Sequence, residues 1–232
     1  MYPDDSIQHY LDRWWVGDDT RELQRGRLVK AFVPFIGMEL RRLVLQGRPE
    51  ARVLDRALFK VEPFAMGTPH PPAQLPVPAM PRARGEDFLA IKGKYRPALI
   101  VSAGGPELPG ELRRGAPRRH TATTLLLAPY FTADQNGTRA GYRPEFVDRV
   151  RRGEYPHFCW DKLPLGGAGE SLLRLDYLFP VPKERTAVEL LPHRLAPEGL
   201  AILDDWLTWL FTGQLDGDSE LAFLREGLPA GA

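Results

Sequence analysis

The first candidate for chemistry is a single arginine at the start of an apolar segment. Residues 94–102 read KYRPALIVS, so Arg96 stands between a basic, aromatic lead-in and a run of apolar residues. Such a run is typical of a strand that is buried on both faces. An arginine at its start has two interpretations: its guanidinium caps the edge of a sheet, or it points into a groove that binds an anionic ligand.

Two histidines are candidates for proton transfer, because the ordinary pKa of a histidine lies close to neutrality. His157 lies in the segment EYPHFCWDK with Glu154 and Asp161 nearby, and His120 ends a basic segment. His157 also has a structural interpretation, as a partly buried strand residue that hydrogen-bonds a carbonyl. The only cysteine, Cys159, is predicted to be a small core residue rather than a nucleophile.

Positive charge is concentrated in the middle of the chain. The formal net charge is +1, yet residues 92–162 carry a net +6 and residues 163–232 a net −6. This pattern fits a solvated basic face beside an acidic helix, or a basic groove for an anionic ligand. On the second interpretation, the side chains that would contact phosphate groups are Lys94, Arg113, Arg114, Arg118, Arg119 and Arg143. Tyr130, Tyr142 and Trp160 would offer ring faces for base stacking.

Composition excludes several classes of protein. A hydrophobic content of 43% is sufficient for a packed core, and one cysteine excludes an internal disulfide framework or a cysteine metal cluster. The first residues lack the apolar region of a signal peptide, and no apolar run is long enough to span a membrane. We therefore expect a cytoplasmic protein without a membrane partner.

The elements that would position these residues are mainly short strands. Five strands are predicted after the proline-rich segment 67–81, at 86–93, 97–103, 122–132, 155–163 and 170–181. Two helices follow, at 197–213 and 219–225, the first with Pro197 in its first turn and Gly213 at its end. Short strands joined by connections rich in glycine and proline predict a small barrel or a strongly curved sheet.

The N-terminal part has a mixed pattern. A helix is predicted from Ser6 to Trp15, a strand and then a helix within 27–46, and a strand at 56–64. Six prolines between residues 69 and 81 indicate a linker or surface strap, or alternatively a ligand for a proline-recognising module. The predicted organisation is an N-terminal extension (1–66), a proline-rich linker or strap (67–84) and a C-terminal domain (85–232).

The order of elements across roughly residues 85–215 resembles the MazF/PemK toxin family, also called Kid/CcdB-like. The resemblance is carried by the Arg-Pro-apolar segment Arg96–Ser102, by the segment Glu170–Leu175, and by the final helix. It implies a mainly β protein with α (α+β), with an SH3-like barrel and a C-terminal packing helix. The first 84 residues do not match and would form a mixed or helical N-terminal extension.

The family's activity, carried over to this chain, is metal-independent cleavage of single-stranded RNA through a 2′,3′-cyclic phosphate, with no cofactor. Arg96 would hold the phosphate, and His157 and His120 are the candidates for acid–base roles. Single-stranded RNA, an antitoxin protein and a second copy of the chain are the partners that the resemblance implies.

Two departures from the family support an alternative. Only Gly93-Lys94-Tyr95 precedes Arg96 where the family has a longer loop with an acidic group, and the family's groove threonine has no secure match. An insert at 104–120 instead carries four arginines. The alternative is a catalytically silent SH3-like barrel that binds nucleic acid or a protein partner.

Overall fold

The computed structural model describes residues 2–35, 37, 39–65, 67, 69, 80, 85–106, 108–115, 121–134, 141–167 and 169–229. The chain forms two compact units: Pro34–Lys94 is one, and Met1–Val33 together with Tyr95–Ala232 is the other. This division differs from the predicted boundaries, because the residues before 34 belong to the same unit as the C-terminal part. Of the predicted linker 67–84, residues 68, 70–79 and 81–84 lie outside the described residues.

The described residues form eleven strands and three α-helices. The strands are β1 (Trp15–Gly17), β2 (Arg27–Pro34), β3 (Arg41–Gly47), β4 (Leu58–Pro63), β5 (Phe88–Ala90), β6 (Gly93–Ser102), β7 (Thr124–Thr132), β8 (Phe158–Lys162), β9 (Glu170–Arg174), β10 (Phe179–Pro182) and β11 (Val188–Leu195). The helices are α1 (Pro144–Arg151), α2 (Pro197–Thr212) and α3 (Glu220–Glu226), and two 3-10 turns cover Ile7–Tyr10 and Leu175–Tyr177.

The larger unit is built on one sheet, in which the strands follow the order β1-β11-β2-β6-β7-β9-β8. Strand β7 pairs with β6 on one side and with two strands on the other. On that second side, β9 pairs with the end of β7 (Thr132 opposite Ser171) and β10 with its start (Leu127 opposite Phe179). The 3-10 turn Leu175–Tyr177 separates β9 from β10. Both pairings are antiparallel, and together they give β7 a neighbour along most of its length on the side opposite β6.

Asp161 connects the two ends of this sheet. Its carboxylate accepts hydrogen bonds from Trp14 Nε1 (3.1 Å) and Trp15 Nε1 (3.2 Å) at β1, although Asp161 itself lies on β8. Tyr130 donates from β7 (3.0 Å) and Tyr2 from the N-terminal segment (3.3 Å). Because β1 and β8 are the outermost strands of the order, the sheet must curl until its two edges approach each other.

Helix α2 packs on the core of the larger unit through Ile202, Leu203 and Trp206, which are buried. Pro197 occupies its first turn, and Gly213 ends it in the left-handed conformation (φ 76°), where its N–H donates to Trp209 O. Glycine reaches this conformation without steric penalty. The prediction of a mainly β protein with a C-terminal packing helix is confirmed, whereas its SH3-like type stays a prediction.

The smaller unit is a three-stranded sheet in the order β4-β3-β5. Here the predicted helix around residues 37–47 is wrong, because β3 forms instead and pairs on both sides. Alternate burial of Arg42 and Val44 shows the two-residue period that favours a strand. The buried Arg42 guanidinium is held by Glu62 (3.1 Å) and by the Pro69 carbonyl (2.7 Å).

Two further predictions differ from the structure, and two elements were not predicted. The helix expected from Ser6 to Trp15 is only the 3-10 turn Ile7–Tyr10, and a strand begins at Trp15. The strand expected at 170–181 is two strands, β9 and β10, because the 3-10 turn Leu175–Tyr177 interrupts it. Helix α1 and strand β11 were not predicted at all.

Candidate functional site

Arg96 lies in β6, between β2 and β7 in the sheet. Its guanidinium carbon is 4.4 Å from the centre of the Phe131 ring on β7, a distance at which a cation is attracted to the ring face. The side chain is partly buried, and this burial lowers its pKa below the ordinary value, while Tyr142 and Tyr177 act in the opposite direction. Arg96 is therefore a cation that has been withdrawn from water against an aromatic ring.

No carboxylate neutralises Arg96 within the part of the chain that the structure describes, and its Nε has no hydrogen-bond partner there. Three other withdrawn arginines do have a carboxylate partner: Arg27 pairs with Asp18, Arg42 with Glu62 and Arg174 with Asp176. Arg225, whose guanidinium carbon lies 4.9 Å from the centre of the Trp209 ring, resembles Arg96 in having none among the described residues. The sheet-capping interpretation of Arg96 needs a guanidinium-to-carbonyl hydrogen bond, which the same described residues do not provide.

A group of aromatic side chains surrounds the two arginines of this region. We call it the arginine–aromatic surface, and it consists of Arg96, Phe131, Tyr142, Phe146, Tyr155, Phe158, Arg174 and Tyr177. Neighbouring rings stack, with centroids 5.4 Å apart for Tyr142 and Phe146 and 5.3 Å apart for Phe146 and Tyr155. Each of the eight side chains keeps part of its area exposed, so the surface can receive a ligand.

Arg174 lies at the end of β9 and contacts three of these rings. Its guanidinium carbon is 4.9 Å from the centre of Phe158, 5.7 Å from Phe131 and 5.6 Å from Tyr177. Asp176 accepts two hydrogen bonds from it, from Nε and Nη2, each 2.6 Å long. These hydrogen bonds raise the pKa of Arg174 well above its ordinary value.

A cavity of about 410 Å³ adjoins Arg96. The polar side chains in its wall come from β7, β9 and the segment after β7, and include Thr132, Asp134 and Ser171. Leu163, Leu165, Gly167 and Gly169, which follow β8, also line the cavity. At Gly169 an added Cβ would lie 2.8 Å from Asp134 Oδ2, so glycine allows the carboxylate to approach this segment closely.

The structure places some predicted site residues here and others elsewhere. His157 is exposed, and its ring centroid lies 6.2 Å from that of Phe158 at the border of the arginine–aromatic surface. Arg143 immediately precedes α1, the helix that carries Phe146. Lys94 belongs to the smaller unit.

The remaining basic candidates lie in the insert. Arg113 and Arg114 lie in the turn that precedes Gly115, with Arg114 exposed. Arg118, Arg119 and His120 lie outside the described residues.

The prediction of base stacking is wrong for two of the three residues. Tyr130 and Trp160 have exposed fractions of 2% and 1% and belong to the core, so neither ring is available to a ligand. Tyr142 is the one of the three that reaches the arginine–aromatic surface. Cys159 is buried as predicted, and its burial raises the pKa of the thiol, which disfavours the nucleophilic thiolate.

Sequence reasoning missed Phe131, Phe158 and Arg174. Arg174 had a recognisable signal, because it is the only basic residue within the largely apolar segment LLRLDYLF, and Arg96 likewise stands directly before an apolar segment. The two phenylalanines had no such signal, since their positions beside the arginines depend on which strands are neighbours in the sheet.

Two other functional features, a membrane-spanning helix and a metal site, are not found among the described residues. No helix among the described residues is both long and apolar enough to cross a membrane. Within the same residues, no group of three or more histidine, cysteine, aspartate or glutamate side chains is arranged to hold a metal ion. Comparison of the chain with protein-family models, curated proteins and solved structures finds no match, so the resemblance to the MazF/PemK family rests on the sequence motifs alone.

Proposed function

We propose that this protein is a cytoplasmic, toxin-like endoribonuclease on an SH3-like barrel, which binds single-stranded RNA at the arginine–aromatic surface and cleaves it without a metal ion. The observation that carries the proposal is Arg96: a partly buried guanidinium stacked on Phe131, with no carboxylate partner among the described residues. An antitoxin protein is the regulatory partner that such an activity would require.

An unpaired cation in a partly dry position is unfavourable unless a ligand neutralises it. A phosphodiester is suitable, because its two free oxygens match the planar fork of a guanidinium. The partly exposed ring of Tyr142, stacked on Phe146, adds an aromatic surface of the kind that single-stranded nucleic acids use without strict sequence preference. The site thus offers binding groups for both the backbone and the bases of a single strand.

Cleavage in this site would follow the ordinary chemistry of a ribose. A base removes the 2′-hydroxyl proton, the 2′-oxygen attacks the adjacent phosphorus, and the 5′-oxygen leaves as it receives a proton. The products are a 2′,3′-cyclic phosphate and a 5′-hydroxyl. Arg96 would stabilise the charge that grows on the phosphate, while His157 beside Phe158 and Asp134 in the cavity wall are the groups that can exchange the protons.

A catalytically silent RNA-binding barrel is the second candidate. The observation that favours it is that Asp176, the carboxylate on the arginine–aromatic surface, is already bound to Arg174 and is not free to act as a base. In this case Arg96 and the rings bind RNA, and no bond is broken.

The test is cleavage of a mixed-sequence single-stranded RNA in EDTA by the wild type and by Arg96→Ala. We expect the substitution to reduce the rate by about 100-fold or more, with a 2′,3′-cyclic phosphate on the wild-type product. Arg185→Ala, which removes an exposed arginine elsewhere on the larger unit, is the matched control and should leave the rate unchanged. If the protein binds RNA in a manner that depends on Arg96 but does not cleave it, the silent barrel is supported. If the folded protein neither binds nor cleaves RNA, both candidates are refuted.

A further inference from the structure

Phe131 is shared by two arginines that come from opposite sides of its strand. Arg96 approaches the ring from β6 and Arg174 from β9, and β6 and β9 are the two neighbours of β7 at this point of the sheet. The two guanidinium groups therefore lie on one continuous surface, with a ring between them. They differ in one respect, because Arg174 has a carboxylate partner whereas Arg96 has none among the described residues.

The hydrogen bonds between Arg174 and Asp176 have the geometry that hydrogen bonds between an arginine and a phosphate would have. Both carboxylate oxygens accept from the guanidinium, Oδ1 from Nε and Oδ2 from Nη2, which is the bidentate arrangement common to carboxylates and phosphates. We propose that Asp176 is an internal substitute for a second phosphodiester, and that bound RNA displaces it from Arg174. This inference rests on the proposed function, and it makes Arg174 a second phosphate-binding residue whose availability Asp176 limits.

The pair is placed where it can open. The side chains of Arg174 and Asp176 are 22% and 29% exposed, so water and an incoming anion can reach both. Asp176 follows Arg174 by two residues in a 3-10 turn and binds no other described side chain. Opening the pair therefore disturbs one local contact and leaves the rest of the core intact.

Arg174 would keep its position after Asp176 leaves. Its guanidinium lies 4.9 Å from the centre of the Phe158 ring, and its Nη1 donates to Tyr142 Oη at 3.3 Å. Neither contact involves Asp176. A guanidinium that is already oriented loses little freedom when a phosphate replaces the carboxylate, which favours the exchange.

The test is the affinity for a fluorescent 2′-O-methyl RNA decamer, which cannot be cleaved, at several KCl concentrations. Asp176→Asn keeps the size of the side chain but releases Arg174, and we expect it to bind at least about fivefold more tightly than the wild type. The slope of log K against log salt should steepen by about 0.7, the value for one additional phosphate contact on a single strand. Adding Arg174→Gln to Asp176→Asn should abolish both effects.

Asp204→Asn is the matched control. Asp204 also accepts two hydrogen bonds from one arginine, Arg25, outside the arginine–aromatic surface. Its substitution changes the net charge equally, so any effect that it shares with Asp176→Asn would come from charge alone and would overturn the inference.

The outcomes separate the inference from the proposed function. If the wild type binds RNA through Arg96 while Asp176→Asn matches its affinity and salt slope, the inference fails and the proposed function stands. If only Asp176→Asn binds, the inference is supported and the wild-type surface is masked. If neither binds, both fail. Should Asp176→Asn not fold, Arg174→Gln alone must weaken binding of the wild type, and unchanged binding would overturn the inference.

Discussion

The carboxylate of Asp161 and the guanidinium of Arg96 are both withdrawn from water, yet their surroundings are opposite. Asp161 is fully buried and accepts hydrogen bonds from two tryptophans and two tyrosines. Arg96 is only partly buried, and within the described chain it has a ring beneath it but no acid beside it. One group is saturated with partners from its own chain, and the other has room for a partner from outside.

This difference separates a structural from a functional role. A buried charge with all its hydrogen bonds made holds elements together, since removing it leaves several donors without partners. A charge without partners contributes little to folding and is available to a ligand. The predictions below test this contrast, beginning with the largest expected effect.

Replacing Asp161 with alanine should be the most destabilising change. Trp14, Trp15 and Tyr130 would each lose their acceptor, and the connection between the sheet edges would be lost. We expect the free energy of unfolding to fall by about 4 kcal/mol, measured by urea denaturation at pH 7. Asp204→Ala, at an exposed ion pair, should cost less than about 1 kcal/mol, and a similarly small effect of Asp161→Ala would contradict the structural role.

The ionisation of Asp161 should make stability depend on pH. Burial raises its pKa from 3.8 to about 6, although its four hydrogen-bond donors act in the opposite direction. Between these two values the folded protein binds more protons than the unfolded chain, so this contribution to stability is present at low pH and is lost as the pH rises. The total change is about 3 kcal/mol.

The measurement compares the wild type with Asp161→Asn, which cannot ionise, by urea denaturation from pH 4 to 7.5. The free energy of unfolding of the wild type, minus that of the variant, should decrease across this range. Other ionisable groups cancel in the difference. A difference that stays constant or increases with pH would show that Asp161 does not ionise in this window.

Phe131→Leu should weaken RNA binding by about fivefold. The leucine side chain preserves most of the packing volume but removes the ring face that contacts both arginines. Affinity for the same uncleavable RNA measures the effect, and Phe211→Leu, at an exposed position on α2, is the control. If the two variants bind equally well, the ring has no part in presenting Arg96.

The smallest effect should be that of Arg96→Gln on stability. Arg96 has no ion pair or hydrogen bond to lose among the described residues, so the free energy of unfolding should change by less than about 0.5 kcal/mol. Thermal and urea denaturation both report it. A loss above about 2 kcal/mol would place Arg96 with Asp161, among the residues that hold the fold together.

The sequence predicted best the strands whose burial is continuous. Strands β6 and β7 were expected because their apolar runs cannot face water, and α2 because its apolar residues recur at the helical period. Strand β3 was mistaken for a helix, since its alternating burial includes an arginine, Arg42, which counts as polar in a sequence pattern. Helix α1 has only Val147 and Val150 buried, too few for a recognisable period.

Only part of the candidate site could be predicted from the sequence. Arg96 could be found from its residue type and its position before a buried strand. That no acid of the described chain pairs with it could not be found, because this depends on where the carboxylates lie after folding. Likewise, nothing in the local sequence relates Arg174 to Phe158 and Phe131, which become its neighbours only through the pairing of β9 with β8 and β7.

The position of β1 has a consequence for synthesis on the ribosome. Among the described strands β1 pairs only with β11, with Trp15 opposite Leu195 and Gly17 opposite His193. Strand β1 is translated long before β11 and must therefore wait, on the order of 10–30 s, for its partner to be made. We expect a nascent chain arrested before residue 188 to be cleaved by a protease near Trp14, and a released chain to resist it.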